Sequence, residues 1–457
     1  MAASNATGLQ SIEHIVVLML ENRSFDHMLG FLYTDAGNKS PAGQSYEGLT
    51  GKETNPGTDG SPVTVSQITP STANAYFMPG ADPGEGYTAT NDQLWGSDTA
   101  PASGTAATMN GFIKDFSYTI GWEKTDGWSI LPGTTANDIM GCFTPGALPV
   151  LSALAKGYAV CDHWFCSVPT ETLPNRAFAL AGTSQGHMDD KTKTYSCPSI
   201  FGSLTKAGVS WVVYGYDATP LTKADFPDTS SAPASNFGEF KDFQAAAKAG
   251  TLPSFSFLEP SWGSTGNSQH PNYDVSKGEQ LIHDTYEALR SGPKWDQTLF
   301  VLTYDEHGGC YDHVAPPWGA TPPDSTPGEQ GFGFDRFGPR VPALLISPLI
   351  QAGTVYRVPD GTTPLDHTSI LKTVEQRWNI PALTARDKAA PGFGDVLTLT
   401  TPRTDDVLSG VTVPAAGTEG PSANQLSHLE AVRREVLGVA SPESEGAVQD
   451  PDARPSG

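Results

Sequence analysis

LFVLTYDEHGGCYDHVAPP, residues Leu299 to Pro317, holds the pattern on which the fold turns. Leu299 to Tyr304 is an apolar, β-branched run of the kind that forms a strand buried on both faces of a sheet. Asp305 and Glu306 follow at its expected end, and Gly308 and Gly309 let the backbone turn sharply behind them. Ligands of open α/β sheets sit at the carboxyl ends of strands, so the acidic pair stands where chemistry is expected. Alone, such a pair serves as readily to cap a helix or to face solvent in a loop. A second segment repeats the pattern: His14 to Leu20 reads as a buried strand, Glu21 and Asn22 stand at its end, and a short helix begins near Ser24.

Working outward, Ser276 to Ser291 places Leu281, Ile282, Tyr286 and Leu289 at helical spacing and delivers the chain to the Leu299 strand. Downstream, a Pro/Gly-rich loop from Pro316 to Gly333 precedes a strand at Val341 to Ser347 and an Asp366-capped helix running through Trp378. Upstream, a helix within Pro145 to Tyr158 has Pro149 in its first turn, and Val209 to Tyr216 and Ser254 to Leu258 read as strands. Leu32 to Ala107 is rich in Gly, Pro, Ser, Thr and Asn and reads as long loops over one end of the sheet. Alternating strands and helices imply an α/β fold with a mostly parallel central sheet, helices on both faces and long loop insertions. The expected catalytic domain spans residues 1–399. Residues 400–457 read as an acidic, Pro/Gly-containing tail with one short helix near Asn424 to Leu437.

Fifty acidic against 27 basic side chains give a formal charge of −23, which repels nucleic acid and limits contact with anionic membranes to transient encounters. An anionic substrate then needs a local cation. The five cysteines, Cys142, Cys161, Cys166, Cys197 and Cys310, include no CxxC pair and suggest neither a zinc site nor a disulfide framework. No apolar run is long enough to span a membrane, and MAASNATGLQ lacks the features of a secretory leader. As written the chain reads as cytoplasmic; removal of a leader would leave the same appearance in a secreted protein. Oligomeric state is open.

Three separated segments offer oxygen ligands at strand ends: Glu21 with Asn22, Thr172, and Asp305 with Glu306. Carboxylates plus an amide oxygen suit one divalent cation, magnesium, calcium, manganese or zinc. Such an ion would offset the acidic field, polarise a phosphoryl oxygen and lower the pKa of a nearby hydroxyl. In TETLPNR, Pro174 stiffens the turn, Asn175 can cap and Arg176 can reach a phosphate or a carboxylate through its planar fork. A lone threonine at such a position is ordinarily a helix cap.

ENRSFDHMLGFL at Glu21 to Leu32, TLPNR at Thr172 to Arg176, HPNYDVSKGEQLI at His270 to Ile282 and YDEHGGCYDHVAPP at Tyr304 to Pro317 together resemble the phosphoesterase family. That family holds nonspecific phospholipases C and certain bacterial acid phosphatases on an alkaline-phosphatase-like fold. The resemblance runs in order from about Glu13 to Pro381. It implies that Glu21, Asn22, Asp305 and Glu306 hold the metal and that Thr172 is the nucleophile. It further implies that His270 and His313 lie near the phosphoryl group, one of them protonating the leaving alcohol and later activating water, His270 being preferred. Asn175 and Arg176 are expected at the substrate. Two departures stand out. Glu85, in DPGEGYTATNDQLWG, occupies a position where a histidine is common, and Ser268 stands where aspartate is frequent. Glu85 is thus expected to meet a cationic substrate group or to act as an acid.

The expected activity is a metal-dependent, phospholipase C-type phosphodiesterase acting through a phosphothreonine intermediate. The alternatives are a phosphomonoesterase, a phosphotransferase and a phosphate-ligand binding protein without turnover. The partner is a phosphate ester, with a phospholipid or phosphocholine compound among the candidates. Aromatic side chains at Trp95, Phe112, Phe116, Tyr118, Trp122, Trp128 and Trp164 offer a choline-binding rim, although core packing accounts for most such residues.

Overall fold

The computed structural model describes residues 7–126, 130–263, 266–271, 273–417 and 428–439. Trp128, the start of the helix expected from Asn424, and the tail beyond Val439 lie outside the described residues. The central sheet has eight strands. In chain order they are β1 (His14–Leu20), β2 (Ala159–Val160), β3 (Trp211–Gly215), β4 (Phe237–Glu239), β5 (Phe255–Glu259), β6 (Thr298–Tyr304), β7 (Ala343–Ile346) and β8 (Thr354–Val355). Their spatial order is β8-β2-β7-β6-β1-β5-β3-β4. Every neighbouring pair is parallel except those made by β7, which runs antiparallel to both β6 and β2. The sheet is therefore mixed but mostly parallel.

All seven residues of β1 and all seven of β6 are buried, as their unbroken apolar sequences require in the middle of a sheet covered on both faces. Burying each large apolar side chain here contributes roughly 1.5–3 kcal/mol, so a charged replacement at Val17 or Val301 would disrupt the whole sheet. Two groups of helices pack mainly within themselves. One contains Pro149–Gly157, Phe240–Ala249 and Val275–Arg290; the other contains Thr172–Ala181, Ile200–Lys206 and Thr368–Trp378. Helix Val275–Arg290 buries Leu281, Ile282, Tyr286 and Leu289, and Asp274 caps it by accepting from the Ser276 N–H at 3.0 Å. Asp366 serves helix Thr368–Trp378 similarly, accepting from the Thr368 N–H at 3.1 Å from just outside the first turn.

Leu32 to Ala107, expected as loops, also contains strands Thr54–Pro56, Pro62–Thr64 and Ser66–Ile68 and helix Tyr87–Trp95. Three-residue strands are too short for alternation to reveal. The helix has a polar face because Asn91, Asp92 and Gln93 are buried in hydrogen bonds, which hides its helical period.

Candidate active site

The two acid-bearing segments meet because β1 and β6 pair in parallel, from His14 opposite Thr298 to Leu20 opposite Tyr304. Glu21 and Asn22 therefore leave the sheet beside Asp305 and Glu306, at the carboxyl edge. All four side chains are buried. The Asn22 N–H donates to Asp305 Oδ1 at 2.9 Å, and the Glu306 N–H donates to the same oxygen at 2.8 Å. Asn22 has a φ of 54°, a left-handed conformation that asparagine tolerates better than most residues. Gly308, at φ 60°, passes so close that a Cβ there would lie 2.0 Å from the Asn22 carbonyl oxygen. The glycine in the motif is what lets the two loops close on each other.

Thr172 is the first residue of helix Thr172–Ala181, and its hydroxyl donates to Asn22 Oδ1 at 3.0 Å. One turn later, Arg176 Nε donates to Asp305 Oδ2 at 2.9 Å while its second amino group holds the Met19 and Leu20 carbonyls at 2.9 and 3.2 Å. Its guanidinium stacks over Trp262 at 4.5 Å. Asn175 accepts from the Val168 N–H and donates to the Val168, Thr170 and Glu171 carbonyls, tying down the loop before Thr172. Both residues, expected at substrate, make bonds that position Thr172 and Asp305.

The fit of a cation is tested by the carboxylates themselves. Glu21 Oε2 and Glu306 Oε1 are buried and have no hydrogen-bond partner. Burial, then repulsion from Asp305, pushes the pKa of both well above the carboxylate range. Asp305 is raised by burial, with Arg176 opposing the rise. Three buried acids beside an amide oxygen are hard-oxygen donors whose charge a divalent cation would relieve, although the ligand atoms that already converge within 4.8 Å belong to Asp82–Glu85–His270 and Asp26–Asp312–His313. His367 braces the set from behind: Nε2 donates to the Asp305 carbonyl, and Nδ1 accepts from Trp164 Nε1 at 3.3 Å.

Glu85 joins this network directly, since its Oε2 accepts from Asn22 Nδ2 and its side chain hydrogen-bonds Glu306. It also lies with Asp82 and His270 in a compact group. Burial lowers His270 to about 4, leaving a neutral imidazole whose Nδ1–H donates to the Pro271 carbonyl at 2.9 Å. Arg23, unmarked in the sequence reading, holds the His270 loop by donating to the Gln269 and His270 carbonyls at 2.6 and 3.0 Å. Ser268, the second departure, hydrogen-bonds the Glu21 carboxylate. His313 lies in a different group with Asp26 and Asp312, both tied to Arg340. Burial works against a charge on His313, but the Asp26 carboxylate outweighs it and holds the pKa up at about 8.

Helix His428–Leu437 brings its first residue, His428, to the site. Its Nε2 lies 3.4 Å from Asp190 Oδ2, and its charge bears on both Asp82 and His270. Asp190 in turn accepts from the Leu173 N–H at 2.7 Å, next to Thr172. The helix is seated by Leu429 and Val432 on Leu173, Leu221 and Trp262. Its apolar spacing is visible in sequence, but nothing there indicates which surface it covers. Of the expected aromatic rim, Phe112, Phe116 and Trp164 are fully buried core, while Tyr118 is exposed. Trp95 stacks with Tyr87, Trp318 and Phe332 around the chain's own Arg336, at 4.8–5.7 Å from the four rings. That aromatic cage already holds a cation.

The model of the phosphoesterase family matches residues 12–381. Non-specific phospholipase C6 of Arabidopsis thaliana is 37% identical over 438 residues, covering 92% of this chain and 79% of the relative. Phospholipase C A of Mycobacterium tuberculosis is 29% identical over 415 residues, covering 82% of this chain and 74% of the relative. Among solved structures, a protein of the alkaline phosphatase superfamily from Vibrio parahaemolyticus aligns at a TM-score of 0.35 and 14% identity, over 56% of this chain and 66% of that one.

Proposed function

The chain belongs to the phosphoesterase family, and from that premise we propose that it is a phospholipase C-type phosphodiesterase with Thr172 as nucleophile. The observation that carries the reading is the junction of the two strand ends, with Thr172 Oγ1 3.0 Å from Asn22 Oδ1 and beside unpartnered buried carboxylate oxygens. Glu21, Asn22, Asp305 and Glu306 are the residues that would hold a divalent cation, which when bound supplies Lewis acidity toward a phosphoryl oxygen.

The chain's own groups supply the rest. Thr172 Oγ attacks phosphorus as its hydroxyl proton is lost to solvent, and the bond to the leaving alcohol, which takes up a proton, breaks to give a phosphothreonine; water then cleaves that ester and leaves Thr172 reprotonated. A leaving oxygen needs a proton donor, and of the two candidate histidines the Asp26 carboxylate favours the charged form of His313 while burial disfavours that of His270. His270, with its proton fixed on Nδ1, keeps a lone pair on Nε2 that can accept a proton or meet a cation. Arg176 and Asn175 hold Thr172 and Asp305 in register, and Arg23 does the same for the His270 loop.

The phospholipase C relatives favour a diester bearing a lipid or phosphocholine group; the same residues would serve a phosphomonoesterase or a phosphotransferase. Hydrolysis of p-nitrophenyl phosphate, its phosphocholine ester and phosphatidylcholine should be compared with divalent cation present. The diesters are expected to show the higher kcat/KM, and preference for the monoester would overturn the phospholipase reading. Thr172→Ala is expected to abolish turnover of all three, and an unaltered rate would exclude the nucleophile.

A further inference from the structure

We propose that Asp82, Glu85 and His270 form a second divalent-cation site, joined to the Glu21–Asn22–Asp305–Glu306 site through Glu85. The inference rests on the reading of that first site. One carboxylate oxygen from each of Asp82 and Glu85 and a ring nitrogen of His270 lie within 4.8 Å of one another. All three side chains are nearly buried. An independent observation points to a ligand: Asp82 Oδ1 is buried without a hydrogen-bond partner, its side chain only 6% exposed. The Nδ1–H of His270 is held by the Pro271 carbonyl, which fixes the tautomer as backbone carbonyls do for metal-ligating histidines.

Glu21, Glu85, Asp82, Asp305 and Glu306 are buried together, and the basic groups that bear on Glu21, Asp82 and Asp305 are Arg176, Arg23 and His428. The acids outnumber these bases, which favours a bound cation. Glu85 stands between the two groups. Its contacts with Asn22 and Glu306 on one side and its place beside Asp82 and His270 on the other are those of a bridging carboxylate. Paired ions about 3.5–4 Å apart act on the attacking and leaving oxygens of a phosphoryl group together. Two carboxylates and one imidazole suit manganese or zinc better than calcium.

The test uses the full chain, stripped of metal and dialysed against Mn2+ alone at an ionic strength that suppresses surface binding. Bound manganese is measured by elemental analysis and the environment by electron paramagnetic resonance. The expected result is two Mn2+ per chain with an exchange-broadened spectrum. Asp82→Asn and Glu85→Gln should each bind one and show an uncoupled spectrum. If the native chain binds one ion, and Asp305→Asn removes it, the second site is refuted while the first stands. No bound ion at all would refute both sites. Two ions retained in both Asp82→Asn and Glu85→Gln would refute the proposed ligands. Should the variants fail to fold, anomalous scattering from native crystals soaked in Mn2+ decides: a peak among Asp82, Glu85 and His270 supports the site, and its absence overturns it.

Discussion

Replacing Arg176 by methionine tests how the buried acids are held together. The side chain joins Asp305 at 2.9 Å with both partners almost wholly buried, holds two carbonyls at the end of β1, and stacks on Trp262 at 4.5 Å. Methionine keeps an apolar stem but removes the charge and all three hydrogen-bonded contacts. Breaking a buried pair by deleting one partner costs about 3–5 kcal/mol, and the ring stack adds roughly 0.5–2 kcal/mol. A loss of about 3.5–7 kcal/mol is therefore expected for the metal-free protein, measured by urea unfolding at pH 7 with chelator present. The same change makes the acid cluster more negative, so Mn2+ should bind more tightly and restore more stability than it does in the parent. The two effects must have opposite signs. A loss below about 1 kcal/mol, the value of an exposed pair, or weaker Mn2+ binding, would refute the account of Arg176 as the internal counter-ion of this site.

Gly308→Ala should destabilise the protein by more than about 3 kcal/mol and impair cation binding, because its Cβ would meet the Asn22 carbonyl at 2.0 Å in a left-handed conformation; an unchanged urea midpoint would contradict the close crossing of the two loops. Asp26→Asn removes the carboxylate that holds His313 at about 8, so the alkaline limb of kcat/KM should move down by more than about one pH unit; a stationary limb would remove His313 from the role of acid. The sign for stability follows from a raised histidine pKa: the Asp26–His313 contribution is complete below about pH 6.5 and is lost as pH rises through about 8. Leu429→Asp places a charge against Leu173, Leu221 and Trp262, and proteolysis of helix His428–Leu437 should accelerate well before global unfolding; equal susceptibility in parent and variant would argue against the docked helix.

The strands that frame the site were legible because burial on both faces demands unbroken apolar runs, and His14 to Leu20 and Leu299 to Tyr304 have them. The direction of β7 was not. Ala343–Ile346 reads as one more buried strand, and an apolar run has the same composition whichever way it crosses the sheet. The metal-ligand candidates were visible as acid pairs after strands, but the uses of their neighbours were hidden. Asn175 and Arg176 look like substrate contacts in sequence, and only the folded loop shows their donors directed to backbone carbonyls and Asp305. Asp82 and Arg23 lie inside recognised motifs, yet nothing local marks what either one holds. Their importance comes from burial beside groups far away in the chain.

By itself, then, the order of residues determined the fold class, the segments at the carboxyl edge and the kind of chemistry their oxygens and hydroxyl can support. Those depend on local composition and on motif spacing, which the chain carries wherever it goes. Tertiary structure alone decided that Asn22 and Asp305, 283 positions apart, share a hydrogen bond, that Glu85 spans from them toward Asp82 and His270, and that His428 returns to the same site. Parallel pairing needs long crossovers, so neighbours at a strand end are distant in sequence. The charge state of each buried group depends on all of those neighbours together.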